Sequence, residues 1–149
     1  MVTFIQRSLV LAAFCLTVLF NLCVPSVYAA TLSPSAESAE AYIISPADGD
    51  TVTAPFKIQF GLSDMGIAPA GVDRPKTGHH HLLVDVDELP LLTDPLQASE
   101  HLLHYGAGQT ETQLTLAPGD HTLQLVLGNY SHIPHDKPVI SKKITVTVQ

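Results

Sequence analysis

Five stretches of this chain alternate apolar and polar side chains with a period of two. In residues 56–62, "FKIQFGL", the even positions are apolar. The same alternation places Leu82, Val84 and Val86 on one face of 79–87, and Leu114 and Leu116 on one face of 110–116. It does so again for Leu123, Leu125 and Leu127 in 121–128, and for Ile144, Val146 and Val148 in 140–148. Successive strand residues point to opposite faces, so each stretch predicts a half-buried β-strand. "AYIIS" (41–45) is a sixth, shorter apolar run. Turn chemistry separates them: "PADGD" (46–50), and "APGD" (117–120), whose Pro-Gly fits the centre of a type II turn. A short helix is expected at 95–104, where Leu96, Ser99, Leu102 and Leu103 have helical spacing. Short strands with turns between them predict an all-β fold, an antiparallel immunoglobulin-like β-sandwich of about six to eight strands. A small closed barrel is the rival architecture.

The first 29 residues read as a signal peptide. Arg7 supplies the positive start, Ser8 to Val24 the apolar run, and "SVYAA" a cleavage site after Ala29. An uncleaved N-terminal anchor is the alternative. Leu22 before Cys23 argues against a lipoprotein site. Both cysteines, Cys15 and Cys23, fall in this segment, so the mature chain is expected to carry no disulfide, no thiolate ligand and no cysteine nucleophile. Loss of Arg7 leaves six basic residues against fourteen acidic ones, a net charge of −8. That charge disfavours nucleic acid and anionic membrane surfaces and favours cations. The expected organisation is a flexible linker at 30–40, "ATLSPSAESAE", and one domain over 41–149, exported to the periplasm or beyond.

The most unusual phrase is "TGHHHLLVD" (77–85), three of the chain's eight histidines at the head of a strand. Strand direction predicts where they go. In an immunoglobulin-like order, 79–87 pairs antiparallel with 121–128, so the triplet sits beside the loop 129–139 that follows the latter. That end of the domain then collects His79, His80, His81, His132 and His135. His104, just before 110–116, joins them. His121 starts its strand at the opposite end, and His101 is undetermined. Alternation within the triplet splits the rings. His79 and His81 share one face with Asp85. His80 points inward with Leu82 and is expected to be a buried structural histidine bonded to a carbonyl. His121 is expected to brace its corner.

Neutral imidazole is the commonest protein metal ligand. His79, His81, His104, His132 and His135 are therefore candidate ligands on a histidine-rich rim, suited to Zn(II) or Cu(II). With only Met65 as a thioether in the mature chain, a soft Cu(I) site is disfavoured. The expected function is non-catalytic binding of a divalent transition metal or a small polar ligand. Three rivals stand beside it. The rim is a purely structural hydrogen-bonded scaffold. The domain is a carbohydrate-binding or adhesion module, for which Tyr42, Tyr105 and Tyr130 are the aromatics not committed to the core, as Phe56 and Phe60 are. Or a three-histidine zinc activates water with Glu111 as base, although no nucleophile motif accompanies it.

"TGHHHLLVD", "GAGQTETQLTLAPGDHTLQLVLGN" and "SHIPHDKPVISKKITVTV" together resemble a family of small exported bacterial proteins, domain of unknown function 4399. The resemblance spans about residues 45–148. It implies export and a single domain, and brings no mechanism and no catalytic residues. "PADGDTV" and "LAPGDHTLQLVLGN" are also similar to bacterial immunoglobulin-like modules, which supports the sandwich.

Overall fold

The computed structural model describes residues 32–149. The signal-peptide segment and both cysteines lie outside the described residues. Among the described residues the fold is all-β, with nine strands: β1 (Glu40–Ser45), β2 (Thr51–Val52), β3 (Phe56–Ser63), β4 (Gly66–Ile67), β5 (Thr77–Val84), β6 (Leu102–His104), β7 (Glu111–Leu114), β8 (Gly119–Gly128) and β9 (Ile144–Val148). They form a three-stranded sheet, β1-β3-β7, and a six-stranded sheet, β2-β9-β8-β5-β4, with β6 also paired to β5. Most pairs are antiparallel. The two-residue strands β2 and β4 instead pair parallel, with β9 and β5 respectively. Among the described residues no helix is long and apolar enough to cross a membrane.

The alternation read from the sequence becomes a sandwich core. Phe56, Ile58 and Phe60 of β3 meet Leu82 of β5, Leu123, Leu125 and Leu127 of β8, and Val146 of β9. Burying each such side chain contributes about 1.5–3 kcal/mol. A second, smaller apolar cluster lies on the outer face of the six-stranded sheet, where Leu83 and Val126 are covered by Leu96 and Leu102. A sandwich sheet of this kind is commonly wet on its outer face. Here the loop preceding β6 covers it.

The helix expected at 95–104 is not formed. Ser99 Oγ accepts hydrogen bonds from the backbone N–H of His101 (3.2 Å) and Leu102 (3.1 Å), a local turn that competes with helical bonding. The chain then runs out along β5 as β6, with Leu82 opposite Leu103 and Leu83 opposite Leu102. The 30–40 segment, expected as a linker, is tied down from Ser33 onward. Asp136 N–H donates to Ser33 O (3.0 Å), Ser35 N–H donates to Asp136 Oδ1 (2.9 Å), and Lys137 pairs with Glu37 (2.7 Å).

At the opposite end from the triplet, His121 braces the corner as expected. Its Nδ1 donates to Asp85 Oδ2 (2.7 Å) and its Nε2 to Ala117 O (2.9 Å). Both partners are acceptors, so both ring nitrogens carry protons. The Asp85 bond accordingly raises the His121 pKa above its usual value. Asp85 also accepts from Thr122 N–H at 2.9 Å. Replacing Asp85 with Ala is expected to cost about 1–3 kcal/mol in urea unfolding. A histidine with a raised folded pKa stabilises fully below its unfolded pKa of about 6.5 and loses that contribution as pH rises through the folded value. The Asp85→Ala penalty should therefore shrink between pH 6 and pH 9. A penalty independent of pH would mean that His121 is not protonated in the folded state.

Candidate metal centre

β5 pairs antiparallel with β8, with His79 opposite Gly128 and His81 opposite Val126. On its other edge, His81 faces His104 of β6 directly. Directly opposed residues share a sheet face, so His79, His81 and His104 project together from the outer face of the six-stranded sheet. The loop after β8 then folds back and delivers His132 onto the same spot. The histidines expected on one rim thus meet at the head of β5. The site is a covered patch on the sheet face, and His79 and His81 are 0% exposed there.

The four rings are mutual neighbours. Centroid separations are 4.8 Å for His79–His81, 5.0 Å for His79–His104 and 5.1 Å for His79–His132. The remaining pairs are 5.2 Å for His81–His104, 5.9 Å for His81–His132 and 4.8 Å for His104–His132. One ring nitrogen from each of His79, His81 and His104 lies within 4.8 Å of the others. His104 is exposed and forms the outer wall of the cluster.

Three local devices hold these rings. The first is Gly128, in the left-over space beneath His81. A Cβ there would stand 2.7 Å from the His81 Cε1. The second is Gly106, where a Cβ would lie 2.3 Å from His104 Nε2. The third is the turn that carries His132, whose φ of 67° is in the left-handed region that non-glycine residues rarely adopt. Buried Asn129 holds it there. Its Oδ1 accepts from Ser131 N–H (2.8 Å) and Ile133 N–H (3.1 Å), and its Nδ2 donates to Ser33 Oγ (2.9 Å). His132 O accepts in turn from Leu96 N–H at 3.0 Å. A backbone strained by about 1–3 kcal/mol and held from several sides is commonly found at functional sites.

The electrostatics favour neutral rings. Burial, and then the neighbouring imidazoles His104, His132 and His80, lower the His79 pKa to about 4. Burial, and then His79, His104 and His132, lower that of His81 to about 3. Burial followed by His132 also lowers that of His104. Neutral imidazole is the metal-binding form. Among the described residues, neither nitrogen of His79 and neither nitrogen of His81 has a hydrogen-bond partner. A buried donor or acceptor left unpaired costs about 1–3 kcal/mol, and an ion at the cluster would relieve one such nitrogen on each of the two rings.

The other candidates lie elsewhere. His135 does not join the four rings. Pro134 bridges to Gly128, and the chain beyond it carries His135 to Thr77, whose carbonyl accepts from Nε2 at 3.2 Å. His80 is in the core as expected, its ring 5.2 Å from Phe60, with burial lowering its pKa to about 4. The expected carbonyl bond is absent among the described residues, since both its nitrogens are unpaired. His101 binds Val84 O through Nδ1 (2.9 Å), away from the cluster. Glu111 is removed from any role at the centre. It sits on the three-stranded sheet, paired to Lys57 (2.8 Å) and to Gln59 (3.1 Å) on the solvent side.

A family model for a domain of unknown function, DUF4399, matches residues 58–149. The chain belongs to the DUF4399 family. No match is found among curated proteins or among solved structures. The DUF4399 segment contains every residue of the histidine cluster, as well as Asn129, Gly106 and Gly128. The strap at 33–37 and strand β1 precede it.

Proposed function

We propose that this DUF4399 domain is an exported, non-catalytic metal-binding module, whose His79, His81, His104 and His132 hold a divalent transition ion. The observation that carries this reading is the convergence of four imidazole rings from three separate stretches of chain, two of them fully buried with unpartnered nitrogens. An ion would supply one nitrogen of each ring with the partner it lacks. The net charge of −8 expected for the mature chain adds a field that favours cations. Among the described residues no carboxylate joins the His79, His81 and His104 group as a general base, which supports binding over hydrolysis. Export is supported by the N-terminal apolar run and by the confinement of both cysteines to it.

Calorimetric titration of the tag-free mature protein with Zn(II) and Cu(II) tests the proposal. One ion per chain is expected, with Kd tighter than about 10 μM. His104→Ala, a change at the exposed wall, should weaken binding roughly tenfold or more, since even outer partners of metal ligands matter by 10–100-fold. His135→Ala should leave it unchanged. Absence of binding, or binding indifferent to His104, would remove the metal reading.

A further inference from the structure

Resting on the metal reading, we infer that the four histidines are unequal: His79, His81 and His104 form the permanent set, and His132 stands in a fourth position that it yields to a small monoanion. One ring nitrogen from each of His79, His81 and His104 lies within 4.8 Å of the others, and among the described residues no fourth side chain shares that convergence. His79 and His81 are 0% exposed on β5, where pairing with β8 fixes their backbone. His104 is fixed by its own pairing opposite His81. His132 arrives from the loop instead, with its ring 4.8 Å from that of His104 and 5.1 Å from that of His79. His104 is exposed and His132 half-buried, so their side of the cluster is the one a ligand from solvent can enter.

Charge names the class of that ligand. No carboxylate or thiolate belongs to the convergent group, so a divalent ion held by its three neutral rings keeps both of its charges. A bound ion is then the largest local charge in a covered patch, where an uncompensated charge is costly. A fourth imidazole leaves that charge whole, and a monoanion in its place halves it. The exchange needs little motion. The His132 backbone, at φ 67°, is held by Asn129 Oδ1 through the flanking N–H groups and by Leu96 N–H at its carbonyl. Rotation about the His132 Cα–Cβ bond alone withdraws the ring and leaves the loop seated.

Azide is the probe, added in chloride-free buffer to the tag-free protein loaded with Cu(II). An azide-to-copper charge-transfer band should grow and saturate at one azide per ion. His132→Asn removes the ring and suits the left-handed turn, which asparagine adopts more readily than most residues. It should retain Cu(II) better than His104→Ala does. It should also bind azide about tenfold more tightly than the wild-type protein, because no ring has to be displaced first. A loaded wild-type protein that gives no azide band would overturn the anion assignment while leaving metal binding intact. So would a His132→Asn variant that loses Cu(II) as severely as His104→Ala, or one whose azide affinity is unchanged. Failure of Cu(II) and Zn(II) to bind at all would overturn the metal reading and this inference with it. The wild-type azide titration decides the anion even if the variant does not fold.

Discussion

Metal-free protein should lose a large part of its stability when the pH is lowered from 7 to 5. In the unfolded chain histidine titrates near about 6.5. In the folded protein burial, its largest cause, holds His79 and His80 near about 4 and His81 near about 3. Between those values the unfolded state binds protons that the folded state refuses. Stability therefore rises with pH across that window and falls as the solution is acidified. Each such histidine contributes up to about 1 kcal/mol per pH unit, and three act together, against a total stability of about 5–15 kcal/mol for a domain. His121 opposes the trend, because its raised pKa makes the folded state the better proton acceptor above pH 6.5. It is one group against five, since burial also lowers the pKa of His104 and His135. Urea midpoints measured at pH 7, 6 and 5 would show the fall. Zn(II) should displace it to lower pH, since an ion holding neutral imidazoles must be outcompeted by protons before the site opens. A metal-free stability that stays level from pH 7 to 5 would mean that these rings are solvated, against their burial here.

Gly128→Ala should disable the centre without touching a ligand. Gly128 lies in β8 opposite His79, and a methyl group there would meet His81 Cε1 at 2.7 Å, His81 Nδ1 at 3.1 Å and the His132 carbonyl carbon at 3.3 Å. None of these can yield easily. His81 is enclosed by the other rings, and the His132 backbone is held by Asn129 and Leu96. Overpacking of this kind costs about 1–3 kcal/mol. Because the displaced groups include two proposed ligands, Zn(II) affinity should fall about 100-fold. Val146→Ala is the control. It removes buried core atoms on the other face of the same sheet, so it should lower stability by a similar amount and leave affinity alone. Equal affinities for Gly128→Ala and wild-type protein would show that the rings do not act as ligands in the arrangement described.

The two effects probe different properties of one patch. The acid response reports that the imidazoles are buried and neutral. The glycine substitution reports that their positions matter to a ligand. Scaffolding alone would give the first and not the second.

Much of the site was legible because strand alternation is local. The split of His80 from His79 and His81 follows from a period of two, and the adjacency of β5 and β8 follows from connection order. His104 was placed near the triplet for a partly different reason. It was expected there as the residue preceding 110–116, whereas it arrives through β6 pairing with β5. Leu96, Ser99, Leu102 and Leu103 carry helical spacing, yet a serine side chain and an available strand edge decided otherwise. His132 and His135 looked equivalent, three residues apart in one loop. A left-handed turn at His132 and the Pro134 bridge send them to different places, and neither is encoded by spacing.

The sequence by itself determined an all-β domain, the inward and outward faces of its strands and the histidines that belong near one another, because side-chain direction in a strand depends on parity alone. Only the tertiary structure decided that the cluster is buried on a sheet face, that His135 is left out, that Glu111 is remote, and that Gly106 and Gly128 make room for the rings. Those outcomes depend on which distant segments cover which surface, and packing between segments far apart in the chain has no local signature.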